Sequence, residues 1–301
     1  MNTLPASYWL TCVCLIIVTP VFTQDYKSEF ATSRENGDTL NQRLVLAKWE
    51  TATPKDAELF TAYFNYYFLK AQREVISLNQ SEPQGESLSI RDSSGNTVGF
   101  IGSTTIYDKN IIERALAKID EGIGLYPDRL DMRFGKIYVL GATENWQRFT
   151  DEIVSTIQYS GRNNNNWTWT GNHQQPQGKS FFLRSLQDYQ LQLYNTGVDS
   201  LLLNMRTIAS EVLRLYPGHL ESLSNLSITY LLNNEYDAAI DILLKAEHLA
   251  PHDPVILGNI AEAYKRKGEK KKAVAYFRKT IKWGDEQSIA YSEEQIKELS
   301  Q

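Results

Sequence analysis

In the last third of the chain, apolar residues recur at the spacing of helices. Leu223, Leu226 and Tyr230 share one face of a 3.6-residue period, and Ile240, Leu243, Leu244 and Ala246 share another. Each stripe is one-sided, so neither helix can bury it alone and the two must pair. Asn233 and Asn234 between them read as the turn, and Gly268 stands in that place 34 residues later. The same period carries Pro217 onto Pro251, "LESLSNLSITY" (220–230) onto "PVILGNIAEAY" (254–264), and "EYDAAIDILLKAEHLAP" (235–251) onto "EKKKAVAYFRKTIKWGD" (269–285), with no gap. Small Ala239 and Ala273 coincide where paired helices approach closely, and Leu243 coincides with Phe277. Asp253 before Pro254 is an N-cap followed by proline at the first helical position, where a missing N–H costs nothing. Helical hairpins stacked in series follow from this pattern.

Upstream the same text continues with interruptions. "TPKDAELFTAYFNYYFLKAQREVISL" (53–78) predicts one helix with Thr53 as N-cap, Pro54 at the first position and Asp56 nearby. Its aromatic stripe of Phe60, Tyr63, Phe64, Tyr67 and Phe68 reads as core. "LSIRDSSGNTVGFIG" (88–102) alternates around a Ser-Gly-Asn turn and predicts an inserted β-hairpin. "GRNNNNWTWTGNHQQPQGKS" (161–180) is polar and aperiodic, which predicts a long loop. Beyond Trp283, the apolar Ile289, Ile296 and Leu299 in an acidic tail read as a helix capping the last hairpin.

Residues 218–285 resemble two consecutive tetratricopeptide repeats. The first copy carries the family's positions at Leu226, Tyr230, Ala239, Leu243, Ala246 and Pro251, and the second at Ile260, Tyr264, Gly268, Ala273 and Phe277, departing at Thr280 and Asp285. "IIERALAKIDEGIGLYPDRLDMRF" (111–134) and "MRTIASEVLRLYPGHLESL" (205–223) share "LYP" and the apolar spacing before it; Ala115 suits the family's small position and Met205 does not. The resemblance implies an all-α, right-handed superhelical solenoid of antiparallel helix pairs with one small β-hairpin. Its segments would be N-terminal helices (24–104), degenerate repeats (105–217), two regular units (218–285) and a capping helix (286–301). It implies a non-enzymatic scaffold binding a peptide or protein, with no cofactor, and is similar to exported members of the family in Gram-negative bacteria.

Residues 1–23 carry no charged side chain and run apolar through "YWLTCVCLIIV" before "QDYKSEF", the pattern of a secretory signal cleaved near Thr23/Gln24. The stretch Tyr8 to Phe22 is shorter than the roughly 20 residues of a spanning helix, so no stable membrane anchor is expected. Cys12 and Cys14 fall inside this segment, so cleavage would leave a chain without disulfides or thiolate chemistry. The net charge of −5 gives no general pull toward nucleic acid.

Candidate chemistry is sparse. Two of the four histidines, His248 and His252, are four apart, but Pro251 between them stops the helix near Ala250, so they mark a boundary rather than a metal site. No phosphate-cradling glycine loop, Gly-x-Ser-x-Gly elbow or His-Glu-x-x-His run is present. Asn225 and Asn259 hold one position of successive units, where an amide can grip the backbone of an extended peptide or satisfy a local hydrogen bond. Nine Lys/Arg against one acidic residue in 265–282, including Lys265, Arg266, Lys270, Lys271 and Lys272, form either a solvated helix face or, with Glu262 close by, the seat of an acidic partner. Trp167 and Trp169 either stack on a ligand or tuck back onto the core, and the former is the route to a glycan-binding or hydrolytic alternative.

Overall fold

A computed structural model describes residues 25–82 and 87–301; the apolar segment read as a secretory signal lies outside the described residues. Among them run thirteen helices: α1 (Tyr26–Glu35), α2 (Thr39–Ala52), α3 (Ala57–Ala71), α4 (Lys109–Leu125), α5 (Leu130–Ala142), α6 (Trp146–Arg162), α7 (Gly178–Asn195), α8 (Leu202–Leu215), α9 (Leu220–Leu232), α10 (Tyr236–Leu249), α11 (Pro254–Lys267), α12 (Lys270–Trp283) and α13 (Glu286–Leu299). They form an all-α solenoid of six antiparallel pairs, α1–α2 through α11–α12, with α13 closing the end. Leading helices touch one another at α1–α3, α7–α9, α9–α11 and α11–α13, and the trailing helices α6 and α8 also pack together. The leading helices form one layer of the solenoid and the trailing helices the other.

Local chemistry explains most boundaries. Asp25, Asp38, Asp56, Asp108, Asp253 and Asp285 each cap a helix by accepting a hydrogen bond from a backbone N–H two or three residues on. Tyr126, Tyr216 and Ala250, each preceding a proline, leave helical geometry at φ −128°, −130° and −139° and end α4, α8 and α10. Asn234 and Gly268, at φ 61° and 85°, turn α9 into α10 and α11 into α12 through the left-handed region. Ala239, Ala273, Leu243 and Phe277 are all fully buried, so the 34-residue period is a period of core contacts.

In the N-terminal third the bounds of one helix are corrected and the inserted hairpin gains a strand. The helix read from 53 begins at Ala57, because α2 continues to Ala52 and Asp56 rather than Thr53 supplies the cap, while also accepting from the Trp49 indole N–H at 2.9 Å. It ends at Ala71, not Leu78. From Gln72 the chain alternates, and "QREVISLN" forms β1 (Gln72–Asn79), paired antiparallel with β3 (Thr97–Tyr107) from Gln72↔Tyr107 to Asn79↔Phe100. β2 (Ser87–Arg91) and β3 form the expected hairpin, and β1 on the other side of β3 extends it to a three-stranded sheet of order β1-β3-β2. Its tip is the expected turn, where Asp92 accepts from the N–H groups of Ser94 and Asn96 and Gly95 sits at φ 84°.

The aromatic stripe of α3 lies in the core. Phe60, Phe64 and Phe68 face the central cluster, with Leu116, Ile119 and Met132; Leu59, Ala62 and Tyr66 face a smaller one with Phe30, Leu46 and Trp49. Between α6 and α7 the long loop is more ordered than its composition suggests: β4 (Thr168–Trp169) pairs with β5 (His173–Gln174), and Thr168 N–H donates to Asp128.

Candidate partner-binding surface

The candidate face is built from the exposed stripes of the leading helices. On α11 that stripe is Val255, Asn259, Glu262 and Arg266. The Asn259 amide is half-buried and has no hydrogen-bond partner among the described residues. Glu262 accepts from Arg266 at 2.8 Å and from the Tyr291 hydroxyl at 3.4 Å. The expectation that Asn225 faces an open groove is corrected. It is 6% exposed, and its amide donates to Gln187 Oε1 at 2.6 Å, because α7 crosses α9 there and covers the position that stays open one unit later.

The basic stretch is divided by ion pairs. Lys265 bonds Gln295 and Glu298 of α13, Arg266 bonds Glu262, Lys267 bonds Asp237 and Glu269, Lys272 bonds Glu269, and Lys279 bonds Glu247. Of the five cations expected to act together, only Lys270 and Lys271 carry no ion pair among the described residues. Lys271, Arg278 and Lys282 share one exposed face of α12.

The tryptophans of the long loop turn inward. Trp167 is fully buried, 5.3 Å from the Phe182 ring and 5.8 Å from Tyr159, which corrects its place as a ligand-stacking residue. Trp169 is half-buried and meets Phe134 and Phe181 edge-on. Large apolar rings gain more from the core than from water, and the loop they anchor then does something composition did not indicate. It delivers Thr170, Gly171 and Asn172 to the N-terminal end of the leading-helix layer, against α3.

There Arg129, only 1% exposed, forms the hub of a charged network. Its guanidinium donates twice to Asp131, Nε to Oδ1 and Nη2 to Oδ2, each at 2.8 Å; Nη1 donates to Glu58 at 2.8 Å and to Asn172 at 3.1 Å. The Gly171 N–H donates to Glu58 at 2.8 Å and the Thr170 hydroxyl to Asp131 at 3.3 Å. Burial alone would push the Glu58 carboxyl up; the Gly171 N–H and the Arg129 charge outweigh it and hold the group below its ordinary range. No sequence signal pointed to this network, since its members come from three segments far apart in the chain.

Beside it opens a pocket of about 410 Å³, walled by α1, α3 and α5 and roofed by Thr170. Phe30, Phe64 and Ile119 supply apolar lining; Glu58 and Asp131 present carboxylates already tied to Arg129; Asn65 offers a half-buried amide without a partner among the described residues. Lys27, 3.6 Å from Glu58, and exposed Arg34 stand at the rim.

Two further groupings bear on chemistry. His219 Nδ1 lies 2.9 Å from Ser222 Oγ and Nε2 lies 3.3 Å from Glu221, but Ser222 is 1% exposed, so its hydroxyl cannot meet a substrate. His248 ends α10, and His252 lies beyond it with its ring stacked 4.0 Å from Trp283. Among the described residues no group of three His, Cys, Asp or Glu side chains is placed to hold a metal ion, and no helix is long and apolar enough to cross a membrane.

Residues 255–283, the span of α11 and α12, match the model of the tetratricopeptide repeat. No curated protein matches the sequence. Among solved structures the chain is similar to YrrB, described as a TPR protein with an unusual peptide-binding site, at 14% identity over 83% of this chain and 97% of that one, with a TM-score of 0.42. It is similar to the TPR2AB domain of yeast Sti1 in complex with pHSP90 at 12% identity, 92% and 97% coverage and a TM-score of 0.35. It is similar to MamA at 13% identity, 85% and 88% coverage and a TM-score of 0.29. At such TM-scores these likenesses transfer no partner to this chain.

Proposed function

We propose that this chain, which carries a tetratricopeptide repeat at 255–283, is an exported scaffold that binds an extended segment of a partner protein along its leading-helix face. The observation that carries the reading is the pocket on α1, α3 and α5: concave, with an apolar floor at Phe30, Phe64 and Ile119 and polar groups of both charges converging around it, the make-up of a recognition site. The partner's side chain enters beside Phe64, and its backbone lies along the helices toward Asn65. Lys27 and Arg34 at the rim favour an acidic residue next to that anchor, since Arg129 is already engaged by two carboxylates. Export rests on the charge-free apolar start of the sequence.

The test is selection of random peptides on the full chain, followed by rebinding to two variants. Ala31→Phe fills the pocket from α1 and is expected to weaken the selected peptides about tenfold or more. Lys270→Glu with Lys271→Glu is expected to leave them unaffected. Peptides indifferent to Ala31→Phe and lost with the charge reversals would move the site to α12.

A further inference from the structure

The three-stranded insert stands apart from the solenoid. Its 11-residue central strand spans about 35 Å, and Tyr107 at its base stacks on Phe68 of α3, 5.8 Å between ring centres. Farther out the sheet is in water on both sides. Register puts Leu78, Ile101 and Leu88 side by side across the three strands, with Ile76 on the same face two residues nearer the base. Ile76 is 83% exposed, Leu78 76% and Leu88 72%. A small sheet keeps its shape by burying one apolar face, and this one buries neither. Its edges differ: β2 is short and ends at Arg91 and Asp92, whereas β1 is eight residues long and, after Arg73 and Glu74, uncharged to its end. A long, uncharged, apolar edge is a template for another strand.

We propose that the strand it takes is β1 of a second copy of this chain, laid antiparallel about a two-fold axis through Ser77. The sequence of β1 is complementary to its own reverse in that register. Ile76 falls opposite the partner copy's Leu78 and Leu78 opposite its Ile76, Ser77 opposite Ser77, and Val75 opposite Asn79. Arg73 and Glu74 fall opposite uncharged Ser81 and Gln80, so no like charges meet. Two three-stranded sheets become one of six. Leu88, Ile101 and Leu78 of one copy then run on into Ile76 of the other as a continuous apolar row, and a shift by one residue would throw the partner's aliphatics to the opposite face. The seam is narrower than a standard interface of roughly 1,600 Å², so the dimer dissociates on dilution.

Cysteine placement tests this directly. In the full chain with Cys12→Ser and Cys14→Ser, S77C puts two thiols across the axis within disulfide reach, and S89C puts one on the opposite edge. Under mild oxidation S77C is expected to run at twice the chain mass on a non-reducing gel and S89C at the mass of one chain. Sedimentation of the unsubstituted chain should show a concentration-dependent dimer that Ile76→Lys with Leu78→Lys abolishes. Monomers throughout a dilution series, or S89C linking as readily as S77C, would overturn the proposal.

Discussion

At the scale of single residues, Arg129 decides whether the loop and the first three leading helices hold together. A buried guanidinium is tolerable because every donor direction it uses ends on Asp131, Glu58 or Asn172. Arg129→Ala would leave two carboxylates facing each other's field with little water, and is expected to cost about 3–5 kcal/mol of stability at neutral pH, measured by urea unfolding. The pH dependence has a definite sign. Glu58 holds its proton less readily in the fold than in the unfolded chain, so the stability it contributes is present above the ordinary carboxylate range and is lost as pH falls through the lowered folded value. Stability of the unsubstituted chain should therefore fall as the pH is lowered through the carboxylate range, and Arg129→Ala should flatten that fall. Equal acid sensitivity in both would mean that Arg129 does not set the Glu58 proton affinity. In the sequence, nothing distinguished Arg129 from any arginine near a turn; apart from Asp131 its partners lie 71 and 43 positions away, and only the fold brings them together.

At the scale of elements, periodicity was the legible part. The 34-residue spacing located α9 to α12 because each unit repeats the same burial problem: small Ala239 and Ala273 at the crossing, large Leu243 and Phe277 beside them. Ala239 is fully buried, so Ala239→Leu is expected to overpack the crossing and destabilise by about 1–3 kcal/mol, read as a lower urea midpoint with unchanged slope. A neutral effect would mean that α9 and α10 part easily. What periodicity could not supply was the end of α3. The helical stripe and the alternating strand share Ala71 and Gln72 without a proline or glycine between them, and strand pairing with residues 100–107 is a long-range fact that overrides local continuity. The long loop was misjudged for a similar reason: polar composition marks Asn163 to Asn166 correctly as a turn, yet two tryptophans are enough to bind the whole segment to the core.

At the scale of the whole molecule, Asn65 and Asn259 on the leading helices keep amides without partners among the described residues, whereas the trailing helices carry scattered cations. Equivalent positions in a repeat need not be equally available. Asn225 and Asn259 match in sequence, but α7 closes over the first and leaves the second open. Charge content was equally deceptive along 265–282, where pairing across α11, α12 and α13 uses most of the cations internally. The central claim, that partners bind the leading-helix face, is tested most directly by placing a photo-crosslinking amino acid at Asn65 and Asn259 on that face, and at Lys245 and Arg278 on the trailing helices, in cells that make the protein. Adducts to a second protein should form from Asn65 and Asn259 and be absent from Lys245 and Arg278; adducts from the trailing-helix pair alone would contradict it.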